Sequence, residues 1–201
     1  MLVQRRTTLA GLAAAPALPA FGRAFALGSE PLFSLGVAPG EPGPDGMVLW
    51  TRLATRPLQA DGGMPRRRVP VRWQVYADEA ATRTVRDGEA YAEPEWGHSV
   101  HVEVSGLQPG RPHWYRFFAE GQASAIGRTR TAPAPGATPQ RLRFCFGSCQ
   151  KYENGFYGAW AHAVADDPDL IFFLGDYIYE ADPSVGTIRV HINPECMDLP
   201  G

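Results

Sequence analysis

Net charge is nearly absent from this 201-residue chain: 19 Lys and Arg stand against 21 Asp and Glu, a formal charge of -2. That balance lacks the electrostatic footprint of a nucleic-acid binder or of an anionic-membrane partner. The one basic run, Arg66–Arg68, follows Pro65 in a polar connection and reads as a solvated loop. Long apolar runs are missing too, so no segment downstream of the N-terminal leader qualifies as a membrane span. Cysteine is scarce. Cys145, Cys149 and Cys196 make an odd number, which leaves at least one unpaired within the chain. Cys145 and Cys149, four residues apart in an extended segment, would lie roughly 13 Å from each other, too far to bridge. What remains is 44% hydrophobic and 20% charged, the composition of a folded globular protein.

The first residues, "MLVQRRTTLAGLAAAPALPAFGRAFA", have a short basic start, a small-residue apolar stretch from Leu9 to Phe21, and Ala24-Phe25-Ala26. This is the pattern of a signal peptide over residues 1–26, cleaved after Ala26. The adjacent Arg5 and Arg6 point to the twin-arginine export machinery, although Thr8 stands where that route favours a large apolar residue. The other reading is an ordinary secretory signal in which the arginines supply only charge. Either way the mature chain is periplasmic or secreted. Twin-arginine export carries folded proteins, which suits a cofactor acquired in the cytoplasm.

From 27 to 132 the chain reads as all-β. "MVLWTRL", "VRWQVYAD", "SVHVEVSGL" and "PHWYRFFAE" are short Val- and aromatic-rich runs separated by "PGEPGPDG", "DGG" and "LQPGRP". Their spacing predicts a small two-sheet sandwich, and "VSGLQPGRPHWYRF" looks like a fibronectin type III module with Leu107 and Tyr115 in its core. His98 and His101 in "WGHSVHVEV" would point to opposite faces of a strand and so do not form a metal pair. Residues 133–140 form a Pro/Ala/Gly linker.

Beyond the linker the period changes. "RLRFCFGS" predicts a strand and "GFYGAWAHAVADD" a helix with Phe156, Trp160 and Val164 on one face. "LIFFLG" predicts a second, wholly apolar strand. Strand–helix–strand with such a strand implies a βαβ unit in a buried parallel sheet, where ligands bind beyond the carboxyl ends of the strands. Cys149 follows the first strand and Asp176 the second, so neighbouring strands would bring them to one rim, with Tyr179 three residues on. Alone, G-D-x-x-Y reads as Asp176 capping a turn while Tyr179 packs. With Cys149 added, a metal site becomes the better reading. A phenolate suits a hard ion such as ferric iron, and a carboxylate can bridge two metals. Cys145, inside the strand, reads as a buried thiol, and His162 on the helix as structural.

Taken together, "FSLGVAPGEPGPDGMVLWTRL", "GLQPGRPHWYRF", "GRTRTAP", "FCFGSCQKYENGFYGAW" and "DPDLIFFLGDYIYE" resemble the PhoD-type alkaline phosphatase family, in order, from Phe33 to the C-terminus. The resemblance implies a β-sandwich followed by a calcineurin-like metallophosphoesterase domain, Fe3+ and Ca2+ as cofactors, and a phosphate ester as substrate. It implies Cys149 as the thiolate ligand to iron, Asp176 as the carboxylate shared by iron and calcium, and Tyr179 as the phenolate on iron. Arg189 and His191 fall in a stretch like one near the family's site, which implies a phosphate contact; Glu180 reads equally as a supporting acceptor or a solvated carboxylate. The family pattern continues past "PECMDLPG" into an Asn ligand, an Asp-His pair and further histidines. Residues 141–201 are therefore expected to carry only the start of that domain, one βαβ unit, and to be incomplete or inactive as they stand. The competing reading is a non-enzymatic exported β-sandwich that binds a partner, with a vestigial C-terminal segment.

Overall fold

The computed structural model describes residues 30–177 and 179. Ala26, Glu180, Arg189, His191 and Cys196 lie outside these described residues. In chain order the strands are β1 (Val37–Gly40), β2 (Met47–Arg52), β3 (Val69–Tyr76), β4 (Thr84–Ala92), β5 (Ser99–Val104), β6 (Pro112–Ala119), β7 (Gln122–Ala123) and β8 (Gly127–Arg130). They are followed by β9 (Phe144–Gly147), the helix α1 (Gly158–Ala165) and β10 (Leu170–Phe173).

The first eight strands form two antiparallel sheets. One has the order β1-β2-β5; the other runs β4-β3-β6-β7, with β8 also paired to β6. Period-two alternation explains their packing. Met47, Leu49 and Thr51 turn inward from β2, as do Val100, Val102 and Val104 from β5. Across the core they meet Val69, Val71 and Val75 of β3 and Tyr115 and Phe117 of β6. Leu107 and Tyr115 are both buried, as the sequence pattern requires. Tyr115 and Phe117 pack edge to face, with ring centroids 6.2 Å apart, a favoured aromatic geometry.

Buried hydroxyls close the connections. Thr131 accepts a hydrogen bond from the Arg111 N–H at 3.0 Å and donates to the Gln108 carbonyl at 2.7 Å. It thereby ties the end of β8 to the β5–β6 loop. Ser124 accepts from the Phe117 N–H and donates to the Ala125 carbonyl. Gly88 lies opposite Trp73 in the β3–β4 ladder, and a Cβ there would come within 2.6 Å of the indole. β4 is the longest of the strands that hydrophobic pattern alone does not mark, because "TVRDGEAYA" alternates polar residues with Gly and Ala.

After the exposed 133–140 stretch, β9 and β10 pair in parallel, Phe144 opposite Leu170 and Gly147 opposite Phe173, with α1 between them in sequence. Three expectations change here. The helix starts at Gly158, so Phe156 precedes it and stands 71% exposed; Val164 is likewise exposed. Tyr157, the residue before the helix, is left-handed at φ 56, which breaks the helical run there. β10 is not a buried strand among the described residues: Ile171, Phe172 and Phe173 are all exposed. Cys145, in β9, is half-buried rather than buried. Two ion pairs join β8 to the segment between α1 and β10, Arg128–Asp167 at 2.7 Å and Arg130–Asp169 at 3.3 Å.

Candidate functional site

The parallel pair continues past its strands. The Leu174 N–H donates to the Gly147 carbonyl at 2.9 Å, and the Cys149 N–H to the Gly175 carbonyl at 3.2 Å. Both chains therefore leave the sheet side by side, which puts Cys149 next to Asp176. Each then turns sharply: Cys149 adopts φ 58, Asp176 φ 48 and Gly175 φ 127. Left-handed backbone at a non-glycine residue costs about 1–2 kcal/mol. The strain swings both side chains off the strand axes toward one point, a pattern that concentrates at functional sites.

That point is one oxygen. The Cys149 thiol donates to Asp176 Oδ2 at 3.3 Å, and the Tyr179 hydroxyl donates to the same oxygen at 3.3 Å. For a hydroxyl donor this is longer than the usual 2.7–2.8 Å, so the Tyr179 hydrogen bond to Asp176 is a weak one. Loss of solvent around the Tyr179 phenol, its hydrogen bond with Cys149 and the charge of Asp176 together push its pKa up to about 12. Without a cation the phenol keeps its proton. The donor set is a thiol, a carboxyl and a phenol, each of which becomes an anion on losing a proton. Their convergence on one oxygen is the arrangement a highly charged cation would replace by displacing both protons. The residues present fit such a group.

Aromatic side chains back the rim. The Trp160 indole N–H donates to Gln150 Oε1 at 2.6 Å, pinning the residue next to Cys149. Trp160 lies against Phe173 at 5.3 Å between centroids, and Phe173 meets Tyr177 edge to face at 5.1 Å. Gly147 permits this, since a Cβ there would sit 3.0 Å from the Trp160 ring. Gln150 and Gly147 were not singled out from the sequence. Their only signal is position, flanking Cys149 in "FGSCQ".

The described histidines stay apart from the rim. His98 is buried, with Nε2 3.1 Å from the Arg67 carbonyl, whereas His101 points outward from β5 and His162 is exposed on α1. Among the described residues no three His, Cys, Asp or Glu side chains gather as a metal cluster. The third donor at this rim is a tyrosine.

Comparison with known proteins places this geometry in context. Residues 20–133 match the model of the PhoD-like phosphatase N-terminal domain, and residues 144–197 that of PhoD-like phosphatase. The chain is 43% identical to alkaline phosphatase D of Bacillus subtilis (strain 168), over 98% of its own length and 35% of that protein's. It thus spans about a third of the curated relative it matches. A solved PhoD structure superposes with a TM-score of 0.74 at 47% identity, over 85% of this chain and 30% of that one. A human fibronectin type III domain is a more distant likeness, 14% identical with a TM-score of 0.39, over 55% of this chain and 84% of that domain.

Proposed function

The chain belongs to the PhoD-like phosphatase family, and on that footing we propose that it contributes to an exported, metal-dependent phosphoric ester hydrolase. One observation carries the proposal: two parallel strand ends deliver the Cys149 thiol and the Tyr179 hydroxyl to a single oxygen of Asp176. In this reading Cys149 and Tyr179 would hold Fe3+, and Asp176 would serve both Fe3+ and Ca2+. When bound, such ions supply positive charge for the transferring phosphoryl group and lower the pKa of water. The protein's own part is positional. Left-handed turns at Cys149 and Asp176 fix the direction of the donors, and the Trp160–Gln150 hydrogen bond holds the loop that carries Cys149. Arg189 and His191 are proposed to contact the phosphate.

The same reading divides the chain into a twin-arginine signal cleaved after Ala26, a fibronectin III-like sandwich over 27–132, a linker over 133–140, and the opening of a calcineurin-like domain over 141–201. No helix among the described residues is long and apolar enough to cross a membrane.

The test places the three rim residues in a chain of the relative's full length. This chain replaces the matching third of the B. subtilis relative, and hydrolysis of p-nitrophenyl phosphate and bis(p-nitrophenyl) phosphate is followed with iron and calcium. The chimera is expected to turn over at least one of them. Asp176→Asn, Cys149→Ala and Tyr179→Phe should each reduce the rate by roughly a hundredfold or more, as for loss of a group that positions transition-state charge. An active chimera indifferent to all three substitutions would overturn the assignment.

A further inference from the structure

A cavity of about 580 Å³ opens at one end of the sandwich, between the β3–β4 turn, the β5–β6 loop and the start of β6. It shares no residue with the Cys149–Asp176–Tyr179 rim. Arg83, Arg86 and Arg111 line it, and no carboxylate does. Its floor is His113, only 5% exposed, and neither ring nitrogen reaches a hydrogen-bond partner. The Tyr76 and Gln108 backbones lie near the imidazole without meeting hydrogen-bond geometry, and burial holds its pKa below the ordinary histidine value. A neutral imidazole carries one N–H donor and one acceptor. Buried polar groups are seldom left unpaired, and each exception asks for an unseen partner.

The arginines are held in unequal ways. Arg86 is locked in place: Nε donates to the Ser105 carbonyl at 3.0 Å, Nη1 to that of Val85 at 2.6 Å, and Nη2 to that of Gly106. The Arg111 guanidinium has no partner among the described residues, although its backbone N–H is anchored on Thr131. Asp78, beside Arg83 on the β3–β4 turn, is the local acid. Its oxygens are occupied by the N–H and hydroxyl of Thr82 and by the Arg83 N–H. Its contact with the Arg83 side chain is long, 3.8 Å, and exposed. The positive charge over the cavity is therefore largely uncompensated from within the fold.

We infer that this cavity is a second binding site, independent of metal, for an organic ligand bearing a phosphate group. The Arg111 guanidinium, the N–H groups that Arg83 and Arg86 keep beyond their carbonyl bonds, and a buried imidazole offer more N–H donors than the two oxygens of a carboxylate can accept, whereas a phosphate monoester presents three terminal oxygens. Leu107 and Val85 give the walls an apolar part, and the volume exceeds what a bare anion fills, so an organic body belongs beside the charged head. The site stands on the sandwich alone and does not depend on hydrolysis at the rim.

The experiment uses the chain in excess EDTA, which separates this site from any metal-dependent one. Phenyl phosphate, inorganic phosphate and benzoate are titrated, with heat and the His113 ring signals in NMR as readouts. Phenyl phosphate is expected to bind saturably and to shift the His113 ring resonances, with the other two binding at least severalfold more weakly. Arg111→Ala should weaken phenyl phosphate by roughly tenfold or more, as for loss of a charge-assisted hydrogen bond, while Tyr179→Phe leaves it unchanged. Absence of saturation, or an unmoved His113 ring in the unsubstituted chain, would overturn the inference. So would benzoate binding as tightly, or an effect of Tyr179→Phe in place of Arg111→Ala.

Discussion

Cys149 and Asp176, 27 residues apart in sequence, meet thiol to carboxylate at 3.3 Å, each on a left-handed backbone. Parallel pairing brings the two chains together, and the turns aim the side chains. Strain at φ 58 depends on the presence of a Cβ rather than on the sulfur. Cys149→Gly should therefore be more stable than Cys149→Ala by about 1 kcal/mol, measured by urea unfolding. Equal stabilities, or a less stable glycine variant, would mean that the turn carries no strain.

Packing behind the rim leads to a second prediction. Gly147→Ala places a methyl 3.0 Å from the Trp160 ring, with Trp160 and Gln150 as its nearest neighbours. The indole must shift, loosening its hydrogen bond to Gln150. Trp160 fluorescence should move, and affinity for iron should fall by roughly tenfold, within the range seen for residues that support metal ligands. An unchanged spectrum and affinity would show that Trp160 does not position the loop.

The sandwich core makes a third. Leu49 is fully buried between the two sheets, so Leu49→Ala should cost about 2–5 kcal/mol. Gly46→Ala should also destabilise, by about 1–3 kcal/mol, because its Cβ would collide with the Val104 carbonyl. Gly40, with open space around it, is the control: Gly40→Ala should leave stability near that of the parent chain. Denaturant midpoints distinguish the three.

A fourth concerns pH. The Arg128 hydrogen bond and charge, with Arg143 and Arg141 adding to them, hold the Asp167 carboxyl below its ordinary value, and the group is exposed. A carboxyl with a depressed folded pKa binds its proton less readily than in the unfolded chain. Its contribution is thus complete above the unfolded carboxyl pKa and is lost as pH falls through the lower folded value. Arg128→Ala should raise the Asp167 midpoint in a carboxyl-detected NMR titration. The shift should shrink in high salt, as for an exposed pair.

Four strands of the sandwich were legible in the sequence because Val and aromatic residues alternate in them, as in "MVLWTR" and "PHWYRFFA", and β9 and β10 were legible from their apolar runs. β4 was not, since its glycine is explained only by the Trp73 indole lying across it. The convergence of Cys149, Asp176 and Tyr179 could be anticipated, because strand ends in a parallel pair must emerge together. The left-handed turns could not, as nothing in "SCQ" or "GDY" marks Cys149 or Asp176 for positive φ. The His113 cavity was equally hidden: Arg83 and Arg86 flank the start of β4 and Arg111 comes from the β5–β6 loop, two segments that only the folded sheets bring together.

The most direct measurement is the visible absorption of the chain reconstituted with ferric iron. The account predicts a phenolate-to-iron charge-transfer band that disappears in Tyr179→Phe while iron is still retained by Cys149 and Asp176. A chain that retains no iron, or a band that survives Tyr179→Phe unchanged, would contradict it.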